Sequence, residues 1–194
     1  MASSQFPLLA QQLGVPLIGG DSYLPKIPIL KLIKRPYRIE GPFRGHILKI
    51  YNYSQSNGGQ NGSSTPYFAI VLELKNTRDL KFKLSSEGFF SKIGKALGMQ
   101  DIQTGDPIFD ETFVVKSSDT SFAREGLLPE IRQQFLTAKQ QCSRTFGGIQ
   151  LKNNNLRYDR VGHLSKEQDR TEAAMLSKAM ADLADAIEIY HGAS

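Results

Sequence analysis

The sequence predicts an α+β fold, in which helices pack against a largely antiparallel, twisted sheet of about seven strands. Two observations carry this prediction. From residue 37 to residue 84, apolar residues alternate with polar ones, which is typical of half-buried strands joined by hairpins. Near residues 127–138 and 176–190, apolar residues recur every three or four positions, which is typical of amphipathic helices. The predicted order of elements is αββββαβαββα.

The first 36 residues are predicted to form a helix followed by a basic, extended arm. Ser3 or Ser4 can cap the helix, and Gly14 stands where helices commonly end. Residues 24–36 then combine prolines, lysines and large aliphatic residues, and the prolines favour extended backbone. Two interpretations remain open for this arm: it lays its aliphatic residues on the core, or it forms a basic and apolar patch that sits on an anionic membrane surface.

Four strands are predicted next. Tyr37–Phe43 and His46–Tyr53 form a hairpin around Gly45, and a Gly, Asn and Ser-rich loop over residues 54–66 follows. Two more strands follow that loop, and the second of them carries Leu80, Phe82 and Leu84 on its apolar face.

Lys81 and Lys83 occupy the other face of this fourth strand. An edge strand protected by lysines and the wall of an anion-binding groove are both compatible with this pattern, and we favour the edge strand.

Residues 105–119 mark the change from the sheet-forming half to the helical half. Asp106 and Pro107 read as the N-cap and first residue of a short helix. A strand over 113–116 follows, and Asp119 caps the next helix. The acidic residues of this stretch lack the spacing of a cation-binding loop, so capping is the favoured interpretation and no metal is predicted.

The remaining elements are predicted from local patterns. A short helix covers residues 89–97, and a hairpin turns at Asn153–Asn155, residue types that tolerate a left-handed turn. Ser165 to Gln168 reads as a capping box before the long helix that ends near Gly192.

The charge distribution and the cysteine content limit the possible functions of the chain. Residues 1–100 carry 13 Lys/Arg against 5 Asp/Glu, whereas residues 101–194 carry 11 against 14. The basic half therefore favours an anionic partner. One cysteine, Cys142, excludes an intramolecular disulfide. No secretory signal is recognisable and no apolar run reaches the roughly 20 residues of a membrane span. We expect one soluble, cytoplasmic domain over residues 1–194, with association at a membrane surface left open.

The sequence Gly-Asp-Pro-x-Phe-Asp-x-x-Phe-Val-Val-x-Ser-Ser-Asp at residues 105–119 resembles a block found in certain uncharacterised bacterial proteins of unknown function. Residues 12–15 and 40–45 resemble two further segments of those proteins, so the resemblance spans most of the chain. It implies a domain that often follows an N-terminal membrane helix, and this chain begins where that helix would end. The resemblance supplies no activity and no catalytic residues.

The sequence favours a binding module over an enzyme. It contains no G-x-S-x-G, H-E-x-x-H or C-x-x-C motif, and no cofactor is predicted. A catalytic site would have to assemble in three dimensions, for example from His46, Tyr51 and Asp110. The alternative to a module is single-stranded nucleic-acid binding by the basic half, whose tyrosines are able to stack on bases. Those tyrosines are Tyr37, Tyr51, Tyr53 and Tyr67.

We therefore expect a non-catalytic module, a monomer or weak dimer, that contacts an anionic membrane surface or another protein. Residues 26–44 are the predicted contact region. The candidate contact residues are Lys26, Lys31, Lys34, Arg35, Arg38, Arg44, Lys81 and Lys83.

Overall fold

A computed structural model gives the architecture of the chain. The residues that it describes are 5–23, 33–34, 36–58, 62–86, 100–141 and 146–192. The helices are α1 (Phe6–Leu13), α2 (Pro107–Thr112), α3 (Pro129–Gln141) and α4 (Glu167–Gly192), with a π-helical turn at Phe122–Gly126. The strands are β1 (Leu17–Ile18), β2 (Ser22–Tyr23), β3 (Ile33–Lys34), β4 (Arg38–Phe43), β5 (His46–Ser56), β6 (Ser64–Glu73), β7 (Phe82–Ser86), β8 (Gln100–Ile102), β9 (Phe113–Ser117), β10 (Gly148–Lys152) and β11 (Asn155–Val161).

The α+β prediction is confirmed. Nine strands form one open antiparallel sheet in the order β1-β4-β5-β6-β11-β10-β7-β9-β8, and β2 pairs separately with β3. All seven predicted strands are present in the large sheet. The two additional strands, β1 and β8, are two and three residues long. They are too short to show a period, so the alternation that revealed the others could not reveal them.

The hairpin β10–β11 lies between β6 and β7, although β6 and β7 follow one another in the chain. Strand β7 is therefore interior, with β10 on one side and β9 on the other. The prediction of a lysine-protected edge strand at residues 80–84 is wrong for this reason. Both neighbours of β7 come from later in the sequence, and local alternation carries no information about such pairing.

The described helices contribute to one core on one face of the sheet. Leu9 of α1 and Leu176, Met180 and Leu183 of α4 are each 0% exposed and belong to the same apolar cluster as the strand residue Ile70. Burial of one such side chain stabilises the fold by about 1.5–3 kcal/mol. We call this the core face of the sheet.

Helix ends follow the predicted chemistry with two corrections, of which the first is that Gln5, in place of the predicted Ser3 or Ser4, is the N-cap of α1 and makes no side-chain capping hydrogen bond. Gly14 ends α1 at a φ of +68°, and the Asp106 carboxylate accepts a hydrogen bond from the N–H of Phe109 at 3.1 Å. At the start of α4, the N–H groups of Ser165 and Lys166 donate to Asp169, at 3.1 and 2.8 Å. Asp169 therefore takes the capping role that the sequence assigned to Gln168.

Two tight turns are confirmed. Arg44 and Gly45 (φ +50° and +86°) join β4 to β5, and Asn153 and Asn154 (φ +49° and +58°) join β10 to β11. Pairing of β5 with β6 continues to Ser56↔Ser64, so strand structure extends well into the predicted 54–66 loop. The predicted helix over 89–97 lies outside the described residues.

Candidate binding site on the polar face of the sheet

The face of the sheet opposite the core face is polar, and we call it the polar face. Strand alternation places a row of mostly charged residues across eight neighbouring strands, with each residue directly opposite the next. From β4 to β8 the row is Glu40, Lys49, Val71, Arg157, Gln150, Lys83, Lys116 and Asp101.

On the β4–β5–β6 side of this row, cations are paired with carboxylates. Arg38 lies 3.0 Å from Glu40, and the ammonium of Lys49 donates to Glu73 and lies 3.8 Å from Glu40. The hydrogen bond to Glu73 raises the pKa of Lys49, against the opposing effect of burial. This side of the polar face is therefore close to electrically neutral.

At the centre of the row is a tyrosine–arginine cluster, formed by Tyr51, Tyr53, Tyr67, Arg157 and Asp159. The guanidinium of Arg157 donates to both carboxylate oxygens of Asp159 and to the hydroxyl of Tyr51, each at 2.7 Å. It also lies over the Tyr53 ring, 5.0 Å from the centroid, and Tyr53 stacks on Tyr67 at 5.2 Å. These contacts fix the position of the guanidinium.

The pKa values in this cluster follow from its contacts. Burial is the largest cause that raises the pKa of Tyr53 to about 12, and the hydrogen bond from its hydroxyl to Asp159 adds to it. Hydrogen bonding to Asp159 likewise raises the pKa of Arg157, against burial. Arg157 is therefore a permanent cation and Tyr53 a neutral phenol at physiological pH.

On the other side of the row is a lysine cluster, formed by Lys83, Lys116 and Lys152 on three neighbouring strands. Lys83 lies directly opposite Lys116 and is only 7% exposed. Burial lowers the pKa of Lys83, and the charges of Lys116 and Lys152 lower it further. Lys116 lies 2.6 Å from Asp101, whereas no carboxylate of the described residues lies within ion-pair distance of Lys152.

Between these two clusters the polar face has a depression of about 570 Å³. Its floor includes the apolar residue Val71, and the rest of its lining is polar or charged. The lining residues are Lys49, Tyr51, Val71, Gln150, Lys152, Asn153, Asn155, Arg157 and Asp159.

The turn at the rim of the depression is anchored to the preceding loop. The Asn154 side chain accepts a hydrogen bond from Thr77 at 2.7 Å, and its carbonyl oxygen accepts one from the N–H of Leu74 at 2.8 Å. Asn155 donates to the carbonyl oxygen of Asn153 at 2.9 Å. Lys152 and Asn153 are thereby held on a fixed backbone.

The structure distributes the predicted contact residues over several places. Arg38 and Lys83 are both on the polar face, but Arg38 lies on β4 opposite Tyr51 and Lys83 lies on β7, and Lys81 is exposed just before β7. Arg44 instead lies 2.5 Å from Asp182 of α4, on the helical side of the sheet. The structure therefore does not bring these four residues into one patch.

The remaining predicted contact residues fall in or near the arm. Lys34 lies in β3, within the two-stranded sheet. Lys26, Lys31 and Arg35 lie outside the described residues.

The catalytic constellation considered from sequence does not assemble. His46 is on the core face, where its ring lies 2.8 Å from Asp185, whereas Tyr51 is on the polar face. Asp110 accepts hydrogen bonds from the N–H and hydroxyl of Thr104, at 2.9 and 2.8 Å.

Three of the four candidate stacking tyrosines do meet, in the tyrosine–arginine cluster. Tyr37 is apart from them and stacks on Phe6 of α1 at 6.4 Å.

Sequence reasoning missed Arg157, Asp159, Gln150, Lys116 and Lys152. All five alternate with apolar residues in strands that were predicted correctly, so the alternation itself was the available signal. The sequence did not show that β10 and β11 enter the middle of the sheet. This insertion places Arg157, Asp159, Gln150 and Lys152 between Lys49 and Lys83.

Comparison with known proteins identifies the fold but no family. No protein family model matches the chain, and no curated protein matches it. The chain is similar in structure to the mycobacterial trehalose monomycolate transport factor A, with a TM-score of 0.58 and 13% sequence identity, over 95% of this chain and 93% of that chain. No helix within the described residues is both long and apolar enough to cross a membrane. The chain thus shares the architecture of that transport factor.

Proposed function

We propose that this protein is a non-catalytic binding module that holds an anionic partner on the polar face of its sheet, with an anionic membrane surface as the leading partner. The observation that carries the proposal is the lysine cluster. Lys83, Lys116 and Lys152 are placed on three neighbouring strands, and no carboxylate of the described residues pairs with Lys152. Such an arrangement favours an external anion.

The charge distribution supports this function. Arg38 and Lys49, near β4 and β5, are ion-paired with neighbouring carboxylates, whereas on the other side of the row the charges of Lys116 and Lys152 are close enough to Lys83 to lower its pKa. Each lysine close to an anionic membrane contributes about 1 kcal/mol of attraction. The structurally similar mycobacterial protein is named a transport factor, a name compatible with a role in binding.

Single-stranded nucleic acid is a second candidate partner, favoured by one observation. Tyr51, Tyr53 and Tyr67 form an aromatic group beside Arg157 on the same face as the lysines. Aromatic rings next to a basic surface are the usual elements of sequence-tolerant single-strand binding.

Vesicle flotation tests the leading partner. The full chain is mixed with phosphatidylcholine vesicles, with or without phosphatidylglycerol, at low and high salt. The double variant Lys116→Gln/Lys152→Gln is compared with the control Lys166→Gln/Lys178→Gln, which removes the same charge from exposed positions of the α4 region. Substitution is preferable to removal of residues 1–36, because α1 buries Phe6 in the core.

Salt-sensitive binding to the phosphatidylglycerol vesicles, weakened by the polar-face variant more than by its control, would support the proposal. Equal weakening by both variants would show that only total charge matters and would overturn the assigned surface. If vesicles do not bind but an oligonucleotide binds with a steep salt dependence, the second candidate replaces the first.

A further inference from the structure

We infer that the depression on the polar face binds a small, hydroxyl-rich molecule that carries a phosphate group, such as a phosphorylated polyol. This inference rests on the proposed function, because it names the chemical class of ligand for the same face. A free polyol phosphate and a lipid whose headgroup is a polyol phosphate both belong to this class, and binding to vesicles distinguishes them.

The charges of the depression favour a single anionic group. Lys49 is neutralised by Glu73, so its charge is already matched. Lys152 carries a charge that no carboxylate among the described residues matches, and it stands at the rim beside Gln150. A phosphate between Lys152 and Arg157 would receive hydrogen bonds from two cations, the arrangement in which such bonds are strongest.

Arg157 is prepared for such a ligand. Within the described part of the chain, three of its five N–H groups are used, two by Asp159 and one by Tyr51. The pKa of Arg157 also reflects a hydrogen bond to Tyr53, so at least one N–H group remains for a ligand in the depression. Because the guanidinium is already held by Asp159 and the Tyr53 ring, binding would cost little side-chain entropy.

The neutral lining favours hydroxyl groups. Gln150, Asn153 and Asn155 each carry one carbonyl oxygen and one NH₂, so they are able to accept from and donate to the same hydroxyl-bearing ligand. The Tyr51 hydroxyl adds a further polar contact. A ligand that carried only a phosphate would leave these three carboxamides unused.

The size and polarity of the depression agree with this class of ligand. A volume of about 570 Å³ lies within the roughly 300–1,000 Å³ of small-molecule sites. Most such sites are lined mainly by apolar side chains, whereas here Val71 is the one aliphatic lining residue. An apolar ligand would therefore remove water from Lys152 and the three carboxamides without giving them new partners, which is costly.

The test uses the full chain and follows binding by isothermal titration calorimetry. The probes are myo-inositol monophosphate, myo-inositol and inorganic phosphate. Vesicles of phosphatidylcholine containing phosphatidylinositol are compared with vesicles of phosphatidylcholine alone. The variants are Lys152→Gln, Asn153→Ala and the control Lys178→Gln, and thermal unfolding confirms that each is folded.

We expect myo-inositol monophosphate to bind at least about tenfold more tightly than myo-inositol or inorganic phosphate, since both parts of the ligand are recognised. Lys152→Gln should weaken the binding of myo-inositol monophosphate about tenfold, and Asn153→Ala should weaken it less. Lys178→Gln should leave this affinity unchanged. Binding of the soluble monophosphate alone would identify a free ligand, whereas additional binding of phosphatidylinositol vesicles would identify a headgroup.

The outcomes that overturn this inference differ from those that overturn the proposed function. Equal affinity for inorganic phosphate and myo-inositol monophosphate would exclude recognition of the polyol. Binding to phosphatidylglycerol vesicles without any affinity for the monophosphate would overturn the ligand class and leave the anionic-surface proposal standing. Absence of binding to every anionic probe would overturn both.

Discussion

Lys83 on β7 lies directly opposite Lys116 on β9, so two lysines occupy paired positions on one face of the sheet. Like charges at directly opposite positions destabilise a sheet. Lys83 is also only 7% exposed, and burial is the largest cause that lowers its pKa. A stable fold that retains this arrangement is consistent with a role for the lysines outside folding.

Replacement of this buried charge should stabilise the protein. We expect Lys83→Met to raise the free energy of unfolding by about 1 kcal/mol near neutral pH, because methionine keeps the aliphatic volume and removes both the burial penalty and the repulsion. Lys178→Met on α4 is the matched control and should change little. Urea unfolding of the three proteins measures the difference. A less stable Lys83→Met protein would show that the charge of Lys83 contributes to stability.

The stabilising effect of Lys83→Met should depend on pH. Burial, Lys116 and Lys152 lower the folded-state pKa of Lys83, so between that value and its ordinary value of 10.5 the unfolded chain binds more protons than the folded one. Wild-type stability should rise with pH through this window. The advantage of Lys83→Met should therefore be complete below the lowered pKa and disappear as the pH approaches 10.5.

Tyr53 should ionise later than an ordinary tyrosine. Burial and the hydrogen bond to Asp159 raise its pKa to about 12, against about 10 for an exposed phenol. In an alkaline titration followed by ultraviolet absorbance, Tyr53→Phe should remove this late component. Asp159→Asn should lower the pKa of Tyr53 only in part, because burial is the larger cause.

The raised pKa of Tyr53 also makes the free energy of unfolding depend on pH. The folded-state pKa of Tyr53 is raised, so its contribution is complete below about pH 10 and is lost as the pH rises toward about 12. Tyr67→Phe serves as the control, since Tyr67 stacks on Tyr53 without belonging to the hydrogen bond to Asp159. If the late component survives in Tyr53→Phe, the shifted phenol is a different tyrosine.

The sequence predicted what depends on neighbours in the chain. The turns at Gly45 and Asn153–Asn154 were found because those residue types tolerate left-handed backbone, and the seven longer strands were found from their alternation. The cap at Asp106 was found for the same local reason.

What the sequence did not predict depends on pairing between distant strands. Gln150 on β10 connects Arg157 to Lys83 across the sheet, and that connection exists only because the β10–β11 hairpin enters between β6 and β7. The depression and the position of Lys152 beside Lys83 follow from this long-range insertion, whereas the pairing of Lys83 with Lys116 follows from the contact of β7 with β9.

A buried ionic network joins β11 to α4 on the core face. Arg160, Asp169 and Glu172 are at most 1% exposed. Arg160 donates to Asp169 at 3.0 Å, its Nε lies 3.1 Å from Glu172, and the Tyr158 hydroxyl donates to Glu172 at 2.8 Å. Removal of the Asp169 charge leaves Arg160 paired with Glu172 alone and takes a charged acceptor away from the groups that donate to Asp169.

Asp169→Asn should therefore destabilise the protein by about 1.5–3 kcal/mol near neutral pH, the usual contribution of hydrogen bonds to a charged group. The loss has two sources. Arg160 keeps its charge without a carboxylate at Asp169, and the N–H groups of Ser165 and Lys166 lose a charged acceptor. Glu167→Gln is the control, because its exposed pair with Arg170 contributes little.

Acid titration distinguishes this network from a simple packing defect. Burial acts to raise the pKa of Asp169, but hydrogen bonds from the Lys166 and Ser165 N–H groups and the charge of Arg160 outweigh it and lower that pKa. The contribution of Asp169 is thus present above its unfolded-state pKa of about 3.9 and is lost as the pH falls through the lower folded-state value. The free energy of unfolding of the wild type should fall in this acid range, and that of Asp169→Asn should fall less. The difference in free energy of unfolding between the two proteins should therefore narrow. A gap that stays constant from neutral pH into this acid range would assign the loss to altered packing and not to the carboxylate charge.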